Sequence, residues 1–276
     1  MGIDLHAHTM FSDGTFTPEE SVAHARSVGL TVLSVSDHDT TEGLERAFAA
    51  AEGNGLEIVP GVEFSALRDG GGVHVLAYWM DLDHAEFQTE LRRLRDDRWK
   101  RGEQMVRRLQ RLGYPVPVRR VRELARGGNI GRPHVAQALV EAGVIGTIKQ
   151  AFTEELIGTH GRAHVEKHAI DPVEAVRLIK RAGGVAVLAH PALWRDGLPA
   201  PDEMIEEMVE AGLDGLEAGH PNHDAATRAR YREMAARFGI AATGSSDCHG
   251  TRYDPVRMGS VRTDPEEFRK LQARRP

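Results

Sequence analysis

Cysteine is almost missing from this 276-residue chain. Cys248 is the only one, which excludes an internal disulfide framework and makes a reducing cytoplasm the expected compartment. No apolar run approaches the ~18 residues of a membrane span. The N-terminus is not a basic-then-apolar leader, so neither a membrane anchor nor a secretory signal is expected. Aromatic residues make up 5%, too few for a platform of interleaved rings that stacks a single nucleic-acid strand. Low-complexity tracts and internal repeats are also lacking. The remainder, 41% hydrophobic and 28% charged, is that of an ordinary globular protein. It is long enough for one large α/β domain, or a domain carrying an insertion.

Two things are abundant. Histidine occurs 14 times, often where apolar runs end. Positive charge is concentrated: residues 92–132 hold 14 Lys/Arg against 4 Asp/Glu, a net of +10 in a chain whose total is −6. Such a segment suits an anionic substrate handled at one place; a solvated, arginine-rich helical face is the alternative.

The first third alternates strand and helix. Ile3, Leu5 and Ala7 alternate with Asp4, His6 and His8, a strand pattern. Thr17, Pro18 and Glu20 form an N-terminal capping signal for a helix that closes near Gly29. A strand over 32–35, a helix over 41–52 and strands over 57–64 and 73–79 follow. From residue 83 to 162 the periodicity is helical, with pieces expected over 118–126, 134–142 and 145–156 and no strand. Alternation then resumes, with strands over 185–189, 213–218 and 240–244 and a tail helix capped at Asp264. Repeated βα units imply mostly parallel strands covered by helices.

The strongest chemical signal is Asp4-Leu5-His6-Ala7-His8-Thr9. Residues two apart in a strand share a side, so His6 and His8 can ligate one metal while Leu5 and Ala7 pack opposite. Alone the pair says little. However, polar residues also mark the other strands: Asp37, His38 and Asp39 after the second, Glu63 ending the third, His74 in the fourth, His190 after 185–189, and Asp247 and His249 after the last. Barrel-type α/β enzymes place their active sites at such strand ends. Imidazole and carboxylate donors without thiolate suit Mn²⁺, Fe²⁺ or Zn²⁺. Cys248, between Asp247 and His249, should point away by strand alternation and pack rather than act as a nucleophile. His24 and His84 read as structural or solvated.

Together with Ser12-Asp13-Gly14, Pro60-Gly61-Val62-Glu63, Ala189-His190-Pro191 and Ser246-Asp247-Cys248-His249-Gly250, these motifs resemble the PHP (polymerase and histidinol phosphatase) family. The resemblance implies a distorted (β/α)₇ barrel, formed by residues 1–82 and 163–276, with a helical cap inserted at 83–162. It implies two or three divalent ions: His6, His8, Glu63 and Asp247 for one; Glu63 (bridging), His74 and His190 for the second; Asp13, His38 and His249 for the third. Glu63 and Asp247 would be the catalytic carboxylates around a metal-bridging hydroxide. Within the insertion, Gly131-Arg132-Pro133-His134 resembles a substrate-lining element of the family's nucleotide phosphatases, which makes Arg132 and His134 candidate substrate contacts. Lys167, His220 and His223 are further candidates. The expected reaction is hydrolysis of a phosphate monoester, the 3′-phosphate of a nucleoside 3′,5′-bisphosphate, in a cytoplasmic enzyme with a small phosphorylated nucleotide as partner. Alternatives are 5′–3′ trimming of short RNA, a histidinol-phosphate-type phosphatase, and a non-catalytic nucleic-acid-binding module.

Overall fold

The structure, a computed structural model, describes residues 1–125, 130–167, 169–194 and 198–276. Seven strands form one sheet in chain order: β1 (Ile3–Ala7), β2 (Val32–Val35), β3 (Glu57–Arg68), β4 (Gly71–Tyr78), β5 (Val185–Leu188), β6 (Gly215–Gly219) and β7 (Ala241–Gly244). The sheet nearly closes on itself, because the segment after β7 returns to β1. Ala7 bridges Cys248 in parallel, and the His8 N–H donates to Cys248 O at 2.8 Å. The expected strand over 57–64 runs on to Arg68 and turns through Asp69 and Gly70, both at positive φ, into β4. As a result β4 lies antiparallel to both β3 and β5, while the other four pairings are parallel.

Strand alternation separates two apolar layers. Leu76 and Tyr78 of β4 join Ile3, Leu5, Val59 and Val187 inside the barrel, with Phe268 and Leu271 of a C-terminal helix. Val75 and Ala77 turn outward, to the layer that includes Leu33, Phe64, Val176 and Ile205. Along β1 the simple alternation fails. Leu5 belongs to the inner layer and Ala7 to the outer one, and the β1–β2 register shifts between Asp4 and Ala7. That irregularity lets Leu5 fill the barrel while His6 and His8 also face inward; the Tyr78 hydroxyl donates to Leu5 O at 2.8 Å. Cys248 is buried in the outer layer, as packing requires.

Nine α-helices occur among the described residues: α1 (Pro18–Ser27), α2 (Leu44–Ala51), α3 (Ala85–Arg111), α4 (Val118–Leu124), α5 (Arg132–Glu141), α6 (Pro172–Arg181), α7 (Asp202–Glu210), α8 (Ala225–Phe238) and α9 (Pro265–Gln272). At α1 the capping box forms in both directions: Glu20 N–H donates to Thr17 Oγ1 at 3.2 Å, and Thr17 N–H to Glu20 Oε2 at 2.8 Å. His84 caps α3 through Nδ1, which accepts the Phe87 N–H.

The 27-residue α3 joins barrel to cap. Its Phe87, Leu91 and Leu94 pack in the barrel's outer layer. Its Val106 and Leu109 pack in a separate core with Val121, Ile130, Val135, Leu139 and Ile157. Residues 106–163 therefore hold an apolar core of their own, reached along a helix that starts on the barrel. The helix expected over 145–156 is only a 3₁₀ turn, Ile148–Ala151. There Gln150 Oε1 accepts the N–H groups of Gly146 and Thr147, holding a tight turn in place of a helical ladder. Of the helix expected over 118–126, Arg126 lies outside the described residues. No described helix is long and apolar enough to cross a membrane.

Candidate active site

The imidazoles and carboxylates gather at one end of the barrel. His74 sits early in β4, yet because β4 runs against its neighbours, its early residues fall at the same end as the late residues of β1 and β3. Glu63 is the hub and is 1% exposed. Its Oε1 lies 2.8 Å from His74 Nδ1 and 3.0 Å from His190 Nε2. Its Oε2 lies 2.9 Å from His38 Nδ1, 3.2 Å from His8 Nε2 and 3.3 Å from His6 Nε2. Asp247 Oδ1 lies 3.2 Å from His8 Nε2 and 3.5 Å from His6 Nε2. Asp13 Oδ1 lies 3.2 Å from His249 Nε2 and 3.9 Å from His38 Nε2.

Donor atoms within 4.8 Å of one another fall into three groups: His6, His8 and Asp247; His38, Glu63 and His74; and His8, Asp13, His38 and His249. His38 thus reaches two groups, with Nδ1 toward Glu63 and Nε2 toward Asp13, where the resemblance put it in one. His190 meets Glu63 but belongs to none of the three.

Contacts behind the rings fix which nitrogen faces the centre. Glu217 Oε1 is 3.1 Å from His6 Nδ1, so that nitrogen carries the proton and Nε2 presents a lone pair. The Asp247 carbonyl does the same for His249 Nδ1 at 3.0 Å. Ser12, whose hydroxyl donates to Asp37, leaves an oxygen lone pair 3.4 Å from His8 Nδ1. The backbone is strained here: Asp39 (φ 54°), His190 (φ 25°) and Asp247 (φ 47°) take left-handed conformations, which persist only when their surroundings hold them.

These residues fit divalent metal ions. His6 Nε2, His8 Nε2, Asp13 Oδ1, Glu63 Oε2 and His74 Nδ1 are all buried without a hydrogen-bond partner, at roughly 1–3 kcal/mol each if left so. Their short mutual distances lack hydrogen-bond geometry, as expected of lone pairs converging on shared space. Charge agrees with this. Burial alone would raise Glu63, but His38, His74 and His6 outweigh it and hold the carboxyl well below the ordinary range. Burial would lower His8, yet Asp247 and Glu63 drive it up to about 10. Burial takes His74 down to about 3, leaving it neutral.

Between this cluster and the cap lies a cavity of ≈ 1370 Å³. Asp13, His38, His74 and His190 line its floor; Arg98, Arg101, Arg108, Arg132 and Lys167 line its upper wall, with Phe152 and Trp194 at its sides. Arg132 lies with its guanidinium 5.5 Å over the Phe152 ring. Burial and Arg98 lower Lys167 to about 7. The other substrate candidates are placed differently. His134 is buried behind Arg132, where its Nδ1 accepts the Gly131 N–H at 3.0 Å and caps α5. His220 and His223 are buried beside Asp247 and α8, off the cavity wall.

Glu217 was not singled out in the sequence. A carboxylate inside the otherwise apolar run 215–218 was its available signal. It is fully buried, its Oε2 accepts the His190 N–H at 2.8 Å, and its Oε1 meets His6. Glu217→Gln is therefore expected to weaken metal affinity by about 10–100-fold, measured by calorimetric titration of the chelated protein. Unchanged affinity would remove this carboxylate from the orientation of His6.

A near-closed barrel with histidines and carboxylates converging at one end, under a basic cap, defines a metal-dependent phosphoric-ester hydrolase. The comparisons agree. The PHP domain profile matches residues 4–115. The chain is 32% identical to the phosphoribosyl 1,2-cyclic phosphate 1,2-diphosphodiesterase of Eggerthella lenta, over 90% of this chain and 94% of that one. It is 31% identical to the 5′-3′ exoribonuclease of Haemophilus influenzae (89% and 89%) and 31% identical to the 3′,5′-nucleoside bisphosphate phosphatase of Chromobacterium violaceum (90% and 87%). A solved structure from Bifidobacterium adolescentis, described as a metal-dependent phosphoesterase, superposes with a TM-score of 0.91 at 34% identity, covering 99% of this chain and 96% of that one. The chain belongs to the PHP family.

Proposed function

We propose that this enzyme removes the 3′-phosphate from nucleoside 3′,5′-bisphosphates. In this reading His6, His8, Glu63 and Asp247 hold one ion, Glu63, His74 and His190 a second, and Asp13, His38 and His249 a third, with manganese, iron or zinc as the fitting metals. Such ions supply Lewis acidity toward the phosphoryl oxygens and acidify water for in-line attack. The barrel, residues 1–82 and 163–276, carries this centre, and the cap, residues 83–162, recognises the rest of the substrate.

The observation that carries the reading is how the cap's arginines are paired. Most of those turned to solvent meet carboxylates, among them Arg93 with Glu90 and Asp97, Arg95 with Glu42, Arg120 with Glu123 and Glu141, and Arg122 with Glu103. On the cavity wall, Arg98 meets Asp39, but Arg101 and Arg108 donate to the carbonyls of Val165 and His164, and neither of these two has a carboxylate partner among the described residues. Burial, with Arg132 and Arg98 nearby, lowers the pKa of Arg101. Uncompensated cations across a cavity from a metal centre suit a substrate with a second anionic group. Most solvent-facing arginines of the basic segment are paired with carboxylates, so the solvated-face alternative holds for that part.

A second reading, trimming of short RNA, is favoured by the cavity volume. At ≈ 1370 Å³ it exceeds the ~300–1,000 Å³ usual for one small ligand. Phosphate release from bisphosphates and monophosphates, measured beside mononucleotide release from short RNA and ring opening of cyclic phosphates, separates the two. The first predicts the highest kcat/KM on the bisphosphate, and a preference for RNA would overturn it.

Arg132→Ala is expected to lower kcat/KM on a bisphosphate by about 10–100-fold, the equivalent of losing a charge-assisted hydrogen bond of ~1.5–3 kcal/mol. Activity on a simple aryl phosphate should change little. Equal losses on both substrates would show that Arg132 serves the common chemistry or the fold.

A further inference from the structure

His220 is completely buried, off the cavity wall, and beside a residue of the metal centre. Its ring is held from behind. The Asn222 N–H donates to His220 Nδ1 at 3.1 Å, so that nitrogen uses its lone pair and the ring proton resides on Nε2. Nε2 points at Asp247 Oδ2, 3.4 Å away. The backbone around the ring is fixed as well. The His223 N–H donates to His220 O at 3.0 Å, and Arg228 spans the turn, donating to His220 O at 2.9 Å and to His223 O at 3.0 Å.

The two oxygens of Asp247 consequently face different neighbours. Oδ1 lies 3.2 Å from His8 Nε2 and 3.5 Å from each of His6 Nε2 and His249 Nδ1. Oδ2 meets the His220 N–H. Asp247 also sits at φ 47°, a left-handed backbone that persists only when its surroundings hold it. We infer that His220 is a positioning residue: as an Nε2–H donor of fixed tautomer it pins Asp247 Oδ2 and keeps Oδ1 turned to His6 and His8 for an ion. This rests on the reading of Asp247 as an ion ligand. It replaces the substrate contact expected for His220 from the sequence, and makes His223 a support behind it, its Nδ1 3.0 Å from Ala218 O.

Calorimetric titration of the chelated protein with Mn²⁺ tests the inference, in wild type, His220→Ala and His220→Gln, alongside kinetics at saturating Mn²⁺. His220→Ala should bind Mn²⁺ about 10–100-fold more weakly with KM for substrate unchanged. His220→Gln, whose amide can donate to Oδ2, should recover most of that affinity. Wild-type affinity in His220→Ala, or a raised KM at unchanged metal affinity, would overturn it. Wild-type protein that binds no Mn²⁺, Fe²⁺ or Zn²⁺ would instead overturn the underlying ligand reading. Should His220→Ala not fold, ¹⁵N shifts of the zinc-loaded wild-type ring, assigned by comparison with His220→Gln, decide the point. A protonated Nε2 with a bare Nδ1 is expected, and the opposite tautomer refutes the inference.

Discussion

Glu63→Gln is expected to lower kcat on every phosphate ester this enzyme accepts by about three orders of magnitude, and to leave the protein at least one ion short. Both oxygens of Glu63 are committed: Oε1 to His74 and His190, Oε2 to His38, His8 and His6, all within 3.3 Å. Glutamine has the same shape but removes the charge and turns an N–H₂ group toward lone pairs that a cation should meet. Bulk solvent scarcely reaches it, because the residue is 1% exposed. Losing a single preorganised electrostatic contact costs about 10²–10³ in kcat, and a residue shared between two ions costs more than one contact. Elemental analysis and kcat on the purified variant, with circular dichroism to establish the fold, give the test. Wild-type turnover with full metal content would refute the bridging role.

The sequence made the barrel legible because strand ends carry unusual residues. His6, His8, Glu63 and His74 are charged or polar positions in apolar stretches, and capping signals such as Thr17-Pro18 and Asp264-Pro265 set helix starts. What could not be read depended on contacts remote in sequence. Two antiparallel pairings of β4 follow from the turn at Asp69 and Gly70, and a period-two pattern is the same in either direction. The shift between Asp4 and Ala7 depends on pairing with β2, so Leu5 and Ala7 looked equivalent. His134 and Arg132 stand in one motif, yet only Arg132 reaches the cavity, because His134 turns back to cap α5. Glu217 acts on His6 from 211 positions away, a separation no local pattern encodes. Nor could composition reveal that Arg93, Arg120 and Arg122 meet carboxylates while Arg101 and Arg108 meet only carbonyls among the described residues.

Removing the metal should abolish turnover and also loosen the barrel end. Five buried donor atoms of the site have no hydrogen-bond partner among the described residues. An ion bound only by the folded chain contributes about 2.7 kcal/mol of stability at a free concentration of 100 Kd, so Tm should fall by several degrees in excess chelator. The most direct measurement follows phosphate release and metal content together, on the same sample, through exhaustive chelation and stepwise return of Mn²⁺. The account predicts activity lost to background as the ions leave, and restored as two to three ions per chain return. Undiminished phosphate release from protein shown by elemental analysis to hold no transition metal would contradict it.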